Sequence, residues 1–350
     1  MEITKPSGVP YQVGTPLAKS LQTTVVGSYP LPAWLHAYAT EPHLRDAMLV
    51  VIRKQELAGI DVVTDGELSR FDVDHPETNG MIDYFVSRLE GVRSRVGLSD
   101  REAFRGSDAL RYRREPAGVV VGPVGPGVLD LPEAARPLRE LARSRIKFTV
   151  TSPYMLAKVL LDRHYGDLEA LTMAIADVLH DQVALVDADV VQIDEANVAG
   201  TPEDGALAAA GINRVLAGVR GERAVHLCFG NYGGQTIQQG TYERLLSFMN
   251  ALEVDCLLLE LARRGFGELD VLGELKPRIG IGFGVVDVKD NRIESPDEVA
   301  RAIERAEHAL GPGRIRCINP DCGFWMLPAS VADAKMRALA AGRDLFLGKP

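Results

Sequence analysis

EALTMAIADVLHDQVALVDADVVQIDE (169–195) pairs an amphipathic helical stretch with an apolar run that ends on Asp194 and Glu195. The same alternation extends to both sides. Val- and Ile-rich runs stand at TTVVGS (23–28), IDVVTDGE (60–67), GVVVGP (118–123), KFTVTSP (147–153), RAVHLCFG (223–230), VDCLLLE (254–260), IGIGFGVVD (279–287) and RIRCINPDC (314–322). SPDEVARAIERAEHAL (295–310) is a second clear helix. Val299, Ile303, Ala306 and Leu310 share one face, and Ser295, Pro296 and Glu298 form its N-terminal signal.

Strand followed by helix, repeated without a linker, implies parallel strands joined by right-handed crossovers. A single (β/α)8 barrel fits 350 residues. The competing doubly wound sheet lacks a glycine-rich dinucleotide turn after any strand. Nine strand candidates are one too many for the barrel. The polar, arginine-rich stretch inside 85–118 therefore reads as a β-hairpin excursion. The expected division is an N-terminal extension, 1–21, and a catalytic barrel, 22–345.

Composition removes several function classes. Hydrophobic residues make up 46% and charged residues 25%, as in ordinary globular chains. The balance of 39 basic against 48 acidic residues gives −9, with no basic stripe for nucleic acid. No apolar run reaches the ~20 residues of a membrane span, and the N-terminus lacks a signal-peptide pattern. Four cysteines are too few for a disulfide scaffold, so the expected setting is cytoplasmic and reducing. The composition is compatible with an oligomer.

Ionisable residues collect where strands end, the face on which barrel enzymes build their sites. In HLCFGN (226–231), His226 and Cys228 lie two apart, so a strand turns both to one side. Either they share a metal ion or both are simply buried. Glu260 follows three leucines; it is a ligand, a solvated acid, or the partner of Arg263 or Arg264. Cys322 follows the last strand in NPDCGF (319–324), as a ligand or a plain loop cysteine. Cys256 and Cys317 read as core residues. Together His226, Cys228, Glu260 and Cys322 would complete a tetrahedral zinc shell. Two thiolates and a carboxylate make zinc a poor generator of hydroxide. They suit it instead to keeping an incoming thiol ionised, with the glutamate as the weakest donor and the first to yield. The implied reaction is alkyl transfer to a thiolate.

TTVVGSYP (23–30), TDGELSRFD (64–72), QIDEAN (192–197), HLCFGN, LLLELARRG (257–265), GVVDVK (284–289) and NPDCGF resemble, in this order, the catalytic barrel of cobalamin-independent methionine synthase. That family lies within the superfamily of uroporphyrinogen decarboxylase. The resemblance runs from about residue 22 to 330 and implies zinc on His226, Cys228, Glu260 and Cys322. It also implies that Ser28, Glu67 and Asp194 hold the amino-acid part of homocysteine; strand-end acids also cap helices or bind arginine. Full-length members carry an additional N-terminal barrel that this sequence lacks. Tyr154 and Met155 stand where the family has a folate-stacking tryptophan. Lys289 replaces a histidine associated with proton movement; with Asp194 it is a candidate catalytic residue, an anion anchor, or a structural partner of Asp287.

The partners expected are therefore a small-molecule thiol and an alkyl donor, with a corrinoid protein as one source of the methyl group. Two alternatives stand beside methyl transfer. One is opening of an epoxide by a zinc-bound thiolate, as in epoxyalkane:coenzyme M transferases, with Lys289 on a sulfonate. The other is a decarboxylase-like barrel that binds a corrinoid or tetrapyrrole protein without chemistry of its own.

Overall fold

The computed structural model describes residues 21–71, 80–105, 113, 115–231 and 236–349. The extension at 1–20 lies outside the described residues. Among the described residues eleven strands follow one another: β1 (Gln22–Thr23), β2 (Val62–Val63), β3 (Glu90–Arg93), β4 (Gly118–Gly125), β5 (Arg145–Thr151), β6 (Leu160–Asp162), β7 (Val190–Glu195), β8 (Glu222–Leu227), β9 (Cys256–Leu259), β10 (Gly280–Val286) and β11 (Ile315–Pro320). Eight of them pair in parallel, in the order β1-β11-β10-β9-β8-β7-β5-β2. A parallel bridge between Thr24 and Val62 joins the two ends, so the sheet closes into the expected barrel.

The ninth strand candidate, GVVVGP, stands apart. Its strand, β4, pairs antiparallel with β3 and parallel with β6 in a separate three-stranded sheet. The excursion is thus real, although helix Leu98–Arg105 interrupts it and β6 adds a third strand that the sequence did not suggest.

The first two barrel strands are much shorter than the apolar runs that announce them. Beyond Thr24 and Val63 side chains take over the pairing: Thr64 Oγ1 donates to Gly27 O at 2.7 Å, and Gln55 bridges both backbone groups of Thr64. This releases Ser28 and Glu67 from the ladder and turns them toward the barrel mouth.

Alternate residues of each strand face the axis. Val62, Val190, Ala224, Cys256, Leu258 and Cys317 form one interior cluster, so the expectation that Cys256 and Cys317 are core residues holds. One row higher, register aligns Thr151, Asp194, His226 and Leu258. Strand β10 contributes only glycines inward. A β-carbon at Gly284 would lie 2.4 Å from Leu259 O and 2.5 Å from the Asp321 carboxylate, so the neighbouring backbone and the Asp321 side chain occupy that space. Lys147 is buried on the same axis and donates to Val25 O; burial pulls its pKa down to about 8. Among the described residues no helix is long and apolar enough to cross a membrane.

Candidate active site

His226 is the penultimate residue of β8, on the inner face, and Cys228 follows two residues later on the same side. Cys322 comes from the loop after β11. Ligand atoms of these three residues all lie within 4.8 Å of one another. His226 Nδ1 is 3.2 Å from Leu258 O, a contact that requires the proton on Nδ1 and leaves the lone pair on Nε2. Nε2 is buried and has no hydrogen-bond partner. An orphaned imidazole nitrogen beside two sulfurs is a donor set that fits a zinc ion.

Electrostatics divide the two sulfurs. The adjoining Cys228 thiol, assisted by His226, holds Cys322 well below the usual thiol range against the opposing effect of burial. That hydrogen bond with Cys322, reinforced by burial, drives Cys228 well above the range. Burial pulls His226 down, but Cys322 outweighs it and the net shift is upward.

Glu260, expected as a fourth ligand, stands outside this group of three. It directly follows β9 and both its oxygens are engaged: Lys289 Nζ donates to Oε1 at 2.8 Å, and the Phe229 amide donates to Oε2 at 3.3 Å. Both side chains of the Lys289–Glu260 pair are only 1% exposed. The other pairings considered from the sequence resolve differently. Arg263 holds Asp287 at 3.0 Å, Arg264 holds Glu268 at 2.8 Å, and Asp287 receives only the backbone amide of Lys289.

The three donors form one wall of a cavity of about 700 Å³. Ser28, Glu67 and Asp194 line it as well, so the structure brings the sequence-derived substrate residues to the same chamber. Glu67 is the one non-glycine among the described residues with a left-handed backbone, φ 58°. Its Oε1 accepts from Thr149 Oγ1 at 2.8 Å and lies 3.7 Å from the buried Arg70 guanidinium. Tyr84, Phe85 and Phe148 surround that guanidinium. Burial raises Glu67, with Arg70 opposing. Burial, then the charge of Glu67, pushes Asp194 up to about 7. Burial works against charge on both of these acids, and the nearby Arg70 guanidinium offsets part of that effect.

Two features were not read from the sequence. Asp321 accepts the amides of Leu261, Ala262 and Arg263 at 2.7–2.8 Å, which ties the Cys322 loop to the loop beyond Glu260; the Pro-Asp turn ahead of Cys322 was its signal. Trp325 lines the cavity beside Met155 and Ile237. Tyr154 is instead buried, bonded to Thr201 at 2.7 Å and to Asp204 at 2.6 Å. From the excursion, Arg101 and Arg113 reach the cavity wall, each paired with an acid: Arg101 with Glu115 at 2.6 Å and Arg113 with Asp83 at 3.9 Å. Arg111 and Arg114 lie outside the described residues.

Residues 21–342 match the family model described as "Cobalamin-independent synthase, Catalytic domain". Methionine synthase of Thermococcus kodakarensis is 31% identical to this chain, with 93% of each covered. That of Pyrococcus furiosus is 30% identical, with 90% of each covered. Among solved structures, a B12-independent methionine synthase from Shewanella sp. W3-18-1, in complex with selenomethionine, superposes with a TM-score of 0.78. It is 25% identical and covers 93% of this chain and 97% of its own. A methyltransferase from Methanosarcina mazei, at 16% identity and TM-score 0.57, shares the fold. With the family's motifs in order and its barrel complete, this chain belongs to the cobalamin-independent synthase catalytic-domain family.

Proposed function

We propose that this protein is a zinc-dependent methyltransferase whose acceptor is the sulfur of homocysteine or a closely related amino-acid thiol. One observation carries the reading: three sulfur and imidazole donors within 4.8 Å of one another share a cavity with the buried acids Glu67 and Asp194. His226, Cys228 and Cys322 would hold the ion, which when bound supplies a Lewis acid that keeps a thiol sulfur ionised near neutral pH.

The chain's own residues supply the rest. Glu67 and Asp194 hold the α-ammonium, and Ser28 donates to the carboxylate. This fixes the amino-acid end, so the thiol extends toward the Cys228–Cys322 wall. Met155, Ile237 and Trp325 enclose the remaining space, where an alkyl donor has room beside an acceptor of this size. Orientation of acceptor and donor within one chamber is the main contribution to rate. The Nζ of Lys289 is occupied by Glu260 and Thr236, which favours an amino-acid thiol over a sulfonate-bearing one.

The test is zinc per chain in wild type, Cys228→Ala and Cys322→Ala, together with a thiol panel of homocysteine, cysteine and coenzyme M. Each thiol is offered methylcobalamin, free or on a corrinoid protein, methyltetrahydrofolate and epoxypropane. One zinc in wild type, lost in both variants, and methylation of homocysteine are expected. Unchanged metal content would defeat the zinc assignment, and turnover of coenzyme M with epoxypropane alone would defeat the acceptor assignment.

A further inference from the structure

Behind Glu67 stands a cation that cannot itself reach an acceptor. Arg70 is 4% exposed and lies outside the cavity lining, whereas Glu67 is part of that lining. Its Nη2 donates to the Thr149 carbonyl. Its Nη1 has no hydrogen-bond partner among the described residues and lies 3.7 Å from Glu67 Oε1. The Thr149 hydroxyl donates to the same carboxylate oxygen at 2.8 Å, so one residue grips both members of the pair. Gly27 leaves the notch in which that carboxylate sits, since a β-carbon there would lie 2.1 Å from Oε1.

A guanidinium stays protonated at any physiological pH, so Arg70 is a permanent charge. Tyr84, Phe85 and Phe148 stand with ring centres 5.2–5.9 Å away, and their faces offset part of its desolvation. Burial works against charge on Glu67, and Arg70 is the strongest influence opposing it. Without Arg70 the acid would take up a proton and present a neutral carboxyl, a much weaker partner for an ammonium. A lysine replaces it only in part, because an ammonium lacks the planar fork that serves Thr149 and Glu67 together.

We propose that Arg70 is a positioning residue of the acceptor seat: acting only through Glu67, it holds that carboxylate as an aimed anion and so makes the enzyme select thiols that bear an ammonium group. This rests on the acceptor reading above, and no part of it depends on the metal donors.

The experiment is a double-mutant cycle on the intact protein, read by calorimetric titration with two thiols. One is homocysteine; the other is 4-mercaptobutanoate, which is homocysteine without its amine. The proteins are wild type, Arg70→Met, Arg70→Lys, Glu67→Gln and Glu67→Gln/Arg70→Met. In Arg70→Met the preference for homocysteine over 4-mercaptobutanoate should fall about tenfold. Arg70→Lys should recover part of that preference. In the Glu67→Gln background, loss of Arg70 should change homocysteine affinity by less than about twofold. The double variant removes both charges and buries no unpaired one, so this comparison stands even if Arg70→Met folds poorly. An equal loss on both thiols in Arg70→Met, or no loss on either, would overturn the proposal. So would a full further loss in the double variant, which would show Arg70 acting independently of Glu67. A wild type with no preference for homocysteine defeats the acceptor reading itself, and the proposal with it.

Discussion

Gly323 lies so close to Ser28 that a β-carbon on it would fall 1.9 Å from the Ser28 hydroxyl, while the Ser28 carbonyl accepts the Phe324 amide at 2.8 Å. One glycine thus joins the loop that carries Cys322 to the strand end that carries Ser28. Gly323→Ala must displace one or the other, at a cost of about 1–3 kcal/mol. Urea unfolding should show that loss, and homocysteine KM should rise. A variant with wild-type stability and KM would mean that the contact is relaxed in solution.

The acids Glu67 and Asp194 should discriminate between thiols by their amine. Glu67→Gln and Asp194→Asn each remove one charged partner, at about 2 kcal/mol, which corresponds to roughly 30-fold in homocysteine KM. Zinc content should not change. With 3-mercaptopropionate, which has no ammonium group, wild type and variants should perform alike. An equal loss on both thiols would show that the acids act elsewhere.

Asp321 receives three backbone amides from the loop after Glu260, and no side chain without an acceptor can replace it. Asp321→Ala should cost about 3–5 kcal/mol through unsatisfied N–H groups. Asp321→Asn, which retains one carbonyl oxygen, should recover part of this in thermal unfolding. Equal stability of all three proteins would show that the amides find other acceptors.

Lys147 provides a pH dependence of known sign. Its folded-state value is pulled down to about 8 by burial, against an ordinary lysine value of 10.5. Between these limits the unfolded chain binds more protons, so stability rises with pH across that window. The difference between wild type and Lys147→Met, measured by urea unfolding at several pH values, should shift in favour of wild type by about 3 kcal/mol. A constant difference would place the ammonium in a wetter environment than the structure gives it.

Local patterns in the chain reveal much of this site. His226 and Cys228 are legible because a strand has a period of two, and Cys322 because it follows an apolar run at the same end of the barrel. The excursion could be read from an excess strand and a run of arginines. What escapes such reading is contact between distant residues. Glu260 and Lys289 each sit beyond an apolar run, but their ion pair depends on neighbouring strands and on side-chain reach. The shortening of β1 and β2 depends on Gln55 and Thr64, polar residues whose partners no periodicity shows. Trp325 faces the cavity because the loop after β11 turns there, and no sequence pattern fixes that turn.

The two ends of the chain meet in one of the shortest joins of the ring. Strand β1 contributes two residues, and its partners Cys317 and Ile318 come from the far end of the chain. All three soft donors belong to the stretch from 226 to 322, whereas Ser28 lies just past β1. A chain whose two ends have not yet met could therefore already grip a cation while having no complete seat for an amino acid. Capture of the ion and recognition of the acceptor would then be separable events in the maturation of the enzyme, divided by a single seam.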